Sequence, residues 1–140
     1  MRWLTKIIGI WLLASCSPGT APIHYGQDAC DYCRMTIMDP RFGGEIVTKK
    51  GKVYKFDSGE CLVKYYQSHA SEAKDFAIVV VSNFAQPGKM LDARQAVFLQ
   101  QEKIKSPMGG NLAAFANKEE ADKTEAGKLI KWSDLLKTVK

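Results

Sequence analysis

A continuous apolar run at residues 76–82, with the sequence FAIVVVS, constrains the fold of this chain more than any other feature. Its length is that of a strand, and it is too short for a typical helix. The run holds one isoleucine and three valines, and such β-branched side chains pack well on the pleated surface of a sheet. It therefore predicts a buried strand, against which the other elements of the fold must pack.

The segments before this run complete a first structural unit. Residues 44–50 and 53–56 show alternating apolar positions on either side of a Gly51-Lys52 turn, which is typical of a β-hairpin. Residues 58–68 carry an apolar face broken by polar residues, which favours a helix. The first half of the chain is therefore predicted to run in the order β-β-α-β.

The second half of the chain shows the same order of elements. Its strands are predicted at residues 89–92, 96–100, 112–116 and 128–131, and its helices at residues 118–126 and 132–139. The sequence thus predicts an α+β fold made of two β-β-α-β units plus a short C-terminal helix. The units are predicted to span residues 26–86 and 87–140.

The amino terminus has the pattern of an export signal. Two basic residues precede an apolar stretch at residues 7–14, which is too short to span a bilayer. The stretch ends in the letters LASC, which resemble the lipobox of a bacterial lipoprotein, with Cys16 as the lipidated residue. We expect residues 1–15 to be a signal peptide and residues 16–25 to be a lipidated tether, so that the protein is attached to a membrane of the cell envelope.

Charge and motif content exclude several classes of protein. The chain has 20 Lys+Arg against 15 Asp+Glu, and removal of Arg2 and Lys6 with the signal peptide leaves 18 basic against 15 acidic residues. This small excess, without a stripe of arginine and aromatic residues, does not predict a nucleic-acid partner. The sequence has no phosphate-cradling loop and no G-x-S-x-G motif. We therefore expect a binding protein and no enzyme.

The cysteines indicate a metal site. Once Cys16 is lipidated, Cys30, Cys33 and Cys61 remain, and an odd number of thiols cannot all pair in an oxidising compartment. The segment from Cys30 to Met35 holds two thiols and a thioether within six residues. A thioether among soft sulfur donors favours Cu(I) over Zn(II), which takes Cys, His and carboxylate ligands.

Two other interpretations of the same residues remain open. A Cys30–Cys33 disulfide could serve a thiol-disulfide oxidoreductase, although the proline and glycines that follow leave little room for the helix on which such motifs usually lie. A structural zinc domain could use Cys30, Cys33, Cys61 and a histidine. His69 lies about 12 Å along the helix from Cys61, which is too far to share one ion comfortably. His24 is a possible additional ligand.

Two further sulfur residues need an assignment. Met108 lies in the loop Ser-Pro-Met-Gly-Gly at residues 106–110, where a methionine has few packing partners, and it is a candidate ligand. Cys61 follows a predicted helix start and precedes Leu62 and Val63. We expect Cys61 to be a buried packing residue and not a copper ligand, because buried free cysteines commonly behave as small hydrophobic side chains.

Taken together, these features resemble the NosL family of copper-binding lipoproteins. The resemblance covers nearly the whole mature chain, and its most specific parts are the C-x-x-C-x-M segment at residues 30–35 and the Ser-Pro-Met-Gly loop at residues 106–109. It implies a fold like that of the organomercurial lyase MerB. Arg34 departs from the family pattern, because many members carry glycine at that position.

The resemblance also implies a function and a ligand set. It implies an outer-membrane lipoprotein that faces the periplasm, binds Cu(I) and passes it toward nitrous oxide reductase with help from an ABC-type transporter. The implied copper ligands are Cys33, Met35 and Met108. Cys30 belongs to the C-x-x-C form of the motif and is a further candidate.

Overall fold

The computed structural model of this protein describes residues 17–124 and 126–140. Within these ranges the chain forms seven strands, three α-helices and one 3₁₀ helix at Ala70–Asp75. The elements, in chain order, are β1 (Gly44–Thr48), β2 (Val53–Phe56), α1 (Gly59–Ser68), β3 (Phe76–Asn83), β4 (Gln86–Asp92), β5 (Val97–Gln100), β6 (Leu112–Phe115), α2 (Lys118–Thr124), β7 (Lys128–Lys131) and α3 (Trp132–Thr138).

The strands form one mixed sheet in the order β2-β1-β3-β6-β5-β7, with β4 paired to β3. In the first half, β1 lies between β2 and β3 and is antiparallel to both. In the second half, β5 lies between β6 and β7 and is again antiparallel to both. The two groups meet where β3 and β6 run parallel through the pair Asn83 and Ala114. The predicted α+β fold with a short C-terminal helix is confirmed.

Strand β3 is the buried strand that the apolar run predicts. It pairs with β1 on one side and β4 on the other, and Phe76, Val79 and Val81 are buried. Strand β4 begins three residues earlier than the sequence indicates, at Gln86. Its first four residues are exposed and form no alternating apolar pattern, so the sequence does not mark them as part of a strand. They are extended because β4 pairs with β3 across a register shift at residues 82 and 83.

Helix α1 begins where the sequence indicates. The Ser58 side chain caps the helix by accepting a hydrogen bond of 3.3 Å from the backbone N–H of Cys61. Cys61, Leu62 and Tyr65 lie on the face that is buried in the main core. The cap therefore fixes Cys61 in the first turn of the helix, with its side chain directed into the protein.

The expected export signal falls outside the part of the chain that the structure describes. Residues 1–15 and the lipidation candidate Cys16 belong to the undescribed amino terminus. In the described ranges, no helix is both long enough and apolar enough to cross a membrane. The signal peptide, the tether and the boundaries of the two units stay predictions.

Candidate metal centre

A tight loop positions the cysteine motif. An isolated bridge between Ala29 and Thr36 closes the loop at its base. Inside it, the N–H of Cys30 donates to the carbonyl of Met35 over 2.8 Å, and the N–H of Arg34 donates to the carbonyl of Cys30 over 3.0 Å. The chain therefore turns back on itself within six residues, and this turn brings the two cysteines of the motif together.

Arg34 occupies the left-handed turn position of this loop. Its φ of 68° lies in a region that residues with a Cβ atom adopt at an energetic cost. Glycine, which has no Cβ atom, adopts this region without strain.

The junction between β2 and α1 supplies the other half of the centre. Backbone and side-chain contacts between Asp31 and Lys55 hold the loop against β2: the N–H of Asp31 donates to the Lys55 carbonyl over 2.8 Å, and the N–H of Lys55 donates to Asp31 Oδ2 over 2.7 Å. Beyond the end of β2, the chain presents Asp57 and then Cys61. Four ligand atoms lie within 4.8 Å of one another, and they belong to Cys30, Cys33, Asp57 and Cys61.

Burial across the centre is graded from the core to the surface. Cys30, Cys61 and Asp57 are buried, and Cys33 is partly exposed. Met35, the next candidate along the loop, has 48% of its surface exposed. All three cysteines are free thiols. An ion bound among these sulfur atoms would thus be accessible to solvent, or to a partner, from the side of Cys33 and Met35.

The two buried cysteines share a hydrogen bond and differ in their pKa. The pKa of Cys30 is lowered to about 6, and the largest cause is the hydrogen bond from Cys61. Backbone N–H groups also stabilise the Cys30 thiolate, and they belong to Cys33, Asp57 and Tyr32. Burial acts in the opposite direction and raises the pKa of Cys30. The hydrogen bond with Cys30 and burial both raise the pKa of Cys61 above its ordinary value. The pair therefore favours ionisation of Cys30 over ionisation of Cys61.

Cys33 is held differently. Its Sγ donates a hydrogen bond to Asp57 Oδ2 over 3.5 Å, and burial raises the pKa of the Cys33 thiol. The second oxygen of Asp57, Oδ1, is buried and has no hydrogen-bond partner among the described residues. An unpaired buried carboxylate oxygen beside three sulfur atoms is free to bind a metal ion or to accept a hydrogen bond from a water molecule.

Neither histidine belongs to this group in the described part of the chain. His24 is on the surface, with its Nδ1 atom 3.5 Å from Asp28 Oδ2. The ring of His69 stacks on Tyr65 at a centroid distance of 4.0 Å. The role of His24 as an additional ligand stays a prediction, and the fourth donor that the structure places near the cysteines is the carboxylate of Asp57.

Met108 lies on the rim of a different depression. It lines a cavity of about 410 Å³ together with Glu60, Leu112 and residues of β7 and α3, and neither Cys33 nor Met35 contributes to that lining. The residue is 37% exposed. The part it plays in copper binding stays a prediction, as do the ligand roles of Cys30, Cys33 and Met35.

Sequence reasoning did not assign a site role to Asp57 or Glu60. Both stand in the segment Asp57-Ser58-Gly59-Glu60, whose residue types are explained by the start of α1. The available signal was the position of this segment directly before Cys61. The expected burial of Cys61 is confirmed, but its sulfur also lies beside Cys30, which its apolar neighbours in the sequence did not indicate.

Comparison with known proteins agrees with the fold and with the sequence motifs. The model of the NosL family matches residues 22–139. The crystal structure of the copper chaperone NosL from Shewanella denitrificans superposes with a TM-score of 0.71 at 23% sequence identity, over 83% of this chain and 94% of that chain. A search of curated proteins gives no match. Because the family match extends over most of the sequence, from the segment before the cysteine motif to the C-terminal helix, the chain belongs to the NosL family.

Proposed function

We propose that this protein is a membrane-anchored Cu(I) chaperone, without catalytic activity of its own, that delivers copper to an exported copper enzyme. The observation that carries the proposal is the group of three free thiols that opens to the surface through Cys33 and Met35. Membership of the NosL family supports copper as the cargo.

The proposed ligands are Cys33, Met35 and Cys30. Cu(I) is a soft ion and binds thiolate and thioether sulfur in preference to oxygen. Cys30 offers a thiolate that is already stabilised by three backbone N–H groups, and Cys33 offers a thiol at the partly exposed edge. Exposed Met35 lies where an incoming ligand from a client protein could displace it, so the ion can leave without unfolding of the donor.

Cys61 has a supporting role in this proposal. It is fully buried and donates its proton toward Cys30, which keeps the Cys30 thiolate in place. Met108 is proposed as a further thioether ligand. Its loop contacts Glu60, which is the residue directly before Cys61 in the first turn of α1.

The location and the partners are proposed from the sequence and from the family. The LASC segment before residue 17 supports lipidation of Cys16 and attachment to the outer membrane, facing the periplasm. The proposed client is nitrous oxide reductase, and an ABC-type transporter is the proposed helper. A test for delivery is transfer of copper from the loaded protein to purified copper-free nitrous oxide reductase, with loss of transfer in a Met35→Leu variant that still binds copper.

Competition between metals tests the cargo directly. The protein is reduced, freed of metal and offered Cu(I) and Zn(II) together without oxygen, and bound metal is then measured by mass spectrometry and X-ray absorption. The expected result is one copper ion with sulfur neighbours only. Preferential binding of zinc, with oxygen in its coordination shell, would overturn the copper proposal.

A structural zinc site is the second candidate, and one observation favours it. Asp57 supplies a fourth donor within 4.8 Å of the three cysteine sulfurs, and zinc prefers four ligands of this kind. Zinc would need Cys61 as a ligand, whereas the proposed copper site would not. A Cys61→Ser variant that keeps its full copper content but loses zinc affinity is therefore the discriminating result.

A further inference from the structure

We infer that Glu60 is a positioning residue for Met108, an inference that rests on the proposed role of Met108 as a copper ligand. Glu60 is the second residue of α1, directly before Cys61. It is only 5% exposed, and it lines the same cavity as Met108. Its contacts with the loop at residues 106–110 join the first turn of α1, which carries Cys61, to the segment that carries Met108.

The first contact is a hydrogen bond at the start of the loop. The hydroxyl of Ser106 donates to Glu60 Oε1, and both side chains are buried. The same Ser106 oxygen accepts a hydrogen bond of 3.4 Å from the N–H of Leu112, at the far end of the loop. Glu60 therefore holds, through one serine, the two ends of the segment on which Met108 stands.

The second contact is close packing at Gly110. A Cβ atom added at this residue would lie 2.6 Å from Glu60 Oε1 and 2.8 Å from Glu60 Cγ, so the loop backbone rests directly on the carboxylate side chain. Gly109, beside it, has a φ of +72° and makes the turn that follows Met108. Along the loop, Met108 thus stands between a serine that hydrogen-bonds to Glu60 and a glycine that packs against Glu60.

Stability alone does not account for a carboxylate at this place. Glu60 Oε2 is buried and has no hydrogen-bond partner among the residues that the structure describes. A buried polar atom without a partner costs free energy, which an apolar side chain of similar size would not. The gain that Glu60 brings is the placement of the loop.

Copper titration and methionine NMR on the whole protein test this inference. Variants Glu60→Ala and Glu60→Gln are compared with the unmodified chain by competition with a Cu(I) chelator, and the methyl groups of Met35 and Met108 are followed with ¹³C labelling. Glu60→Ala is expected to lower Cu(I) affinity about 10- to 100-fold, the usual effect of losing a residue that orients a metal ligand. Glu60→Gln keeps an acceptor for Ser106 and is expected to keep most of the affinity.

The NMR signals give the readout that a merely structural role would not move. In Glu60→Ala, the Met108 methyl signal should no longer shift on addition of Cu(I), while the Met35 signal still does. Glu45→Gln is the matched control, because Glu45 is also buried but lies on β1, where its carboxylate accepts a hydrogen bond from the N–H of Ala21. This control is expected to leave both methyl responses unchanged.

The outcomes separate this inference from the proposed function. If Met108→Leu leaves Cu(I) affinity unchanged, Met108 is not a ligand, and that part of the proposed function fails. If Met108→Leu weakens binding but Glu60→Ala does not, the positioning role of Glu60 is wrong while the ligand role of Met108 holds. In a double variant that combines Met108→Leu with Glu60→Ala, the two losses of Cu(I) affinity should not add, because both substitutions remove the same thioether from the ion. Additive losses would overturn the inference.

Discussion

The Sγ atom of Cys33 donates a hydrogen bond to Oδ2 of Asp57 over 3.5 Å, across 24 residues of sequence. The contact joins the cysteine loop to the start of α1, and it holds the most accessible of the three thiols toward the other two. Asp57 can act in two ways here: as a hydrogen-bond acceptor that orients Cys33, or as an oxygen ligand for a metal ion.

Replacement of Asp57 by asparagine separates these two roles. Asparagine keeps an oxygen that accepts from Cys33 but removes the negative charge. We expect Asp57→Asn to leave Cu(I) stoichiometry unchanged, because Cu(I) prefers sulfur to oxygen, and to weaken Zn(II) binding. Isothermal titration with each ion checks this, and a large loss of copper with no loss of zinc would contradict the proposed ligand set.

Substitution of Cys61 tests whether this residue only packs and donates its proton. Cys61→Ala is expected to keep the full copper equivalent and to lower the free energy of unfolding by about 0.5–3 kcal/mol, the common range for single substitutions. The reason for the destabilisation is the cavity left in the core and the hydrogen bond lost to Cys30. Metal analysis and urea unfolding of the copper-free protein measure the two effects, and a lost copper equivalent would make Cys61 a ligand.

Sequence patterns indicated most of the fold but only part of the site, because some features depend on local signals and others on tertiary packing. Apolar spacing and a side-chain cap are local signals, so β3 and the start of α1 at Ser58 could be predicted. The first residues of β4 could not, because only their pairing with β3 makes them extended. The short spacing from Cys30 to Met35 marked the sulfur donors. The contact of Asp57 with Cys33 depends on tertiary packing, and no local sequence pattern indicates it.

The pH dependence of stability should reflect Glu45. Burial raises the pKa of Glu45 above its ordinary value of 4.5, although the N–H of Ala21 donates to its Oε2 over 3.2 Å. A raised pKa means that the folded protein prefers the protonated acid. This contribution to stability is complete below the unfolded pKa and is lost as the pH rises through the folded pKa.

Replacement of Glu45 by glutamine checks the sign of this effect. Glu45→Gln is expected to stabilise the protein at pH 7, where the buried carboxylate is disfavoured, and to make little difference near pH 4, where the unmodified side chain takes up its proton. Urea unfolding of both proteins at the two pH values measures the difference. Destabilisation at pH 7 would instead mean that the ionised carboxylate forms a favourable interaction in the folded state.

The predicted anchor is tested at Cys16. The unmodified protein should be found in membranes with lipid attached to Cys16, because the LASC segment resembles a lipobox. A Cys16→Ser variant should be soluble or remain unprocessed. Mass spectrometry of protein purified from native membranes provides the measurement, and an unmodified Cys16 there would show that the lipoprotein prediction is wrong.

Met108 is the residue at which binding and packing can be told apart most clearly. The residue is 37% exposed, so removal of its side chain should cost the copper-free fold little, whereas removal of a fully buried methionine side chain would cost about 2–5 kcal/mol. As a ligand, Met108 would strengthen Cu(I) binding and so contribute to the stabilisation that copper gives. A ligand present at a thousand times its Kd stabilises the native state by about 4 kcal/mol.

We therefore expect Met108→Ala to leave the copper-free Tm nearly unchanged and to reduce the rise in Tm that copper produces. Met38→Ala is the matched control, because Met38 is 67% exposed and is not among the proposed ligands. It should leave both Tm values close to those of the unmodified protein. If Met108→Ala instead lowers the copper-free Tm and keeps Cu(I) affinity, Met108 is a packing residue, and the ion does not connect the loop at residues 106–110 to the cysteine motif.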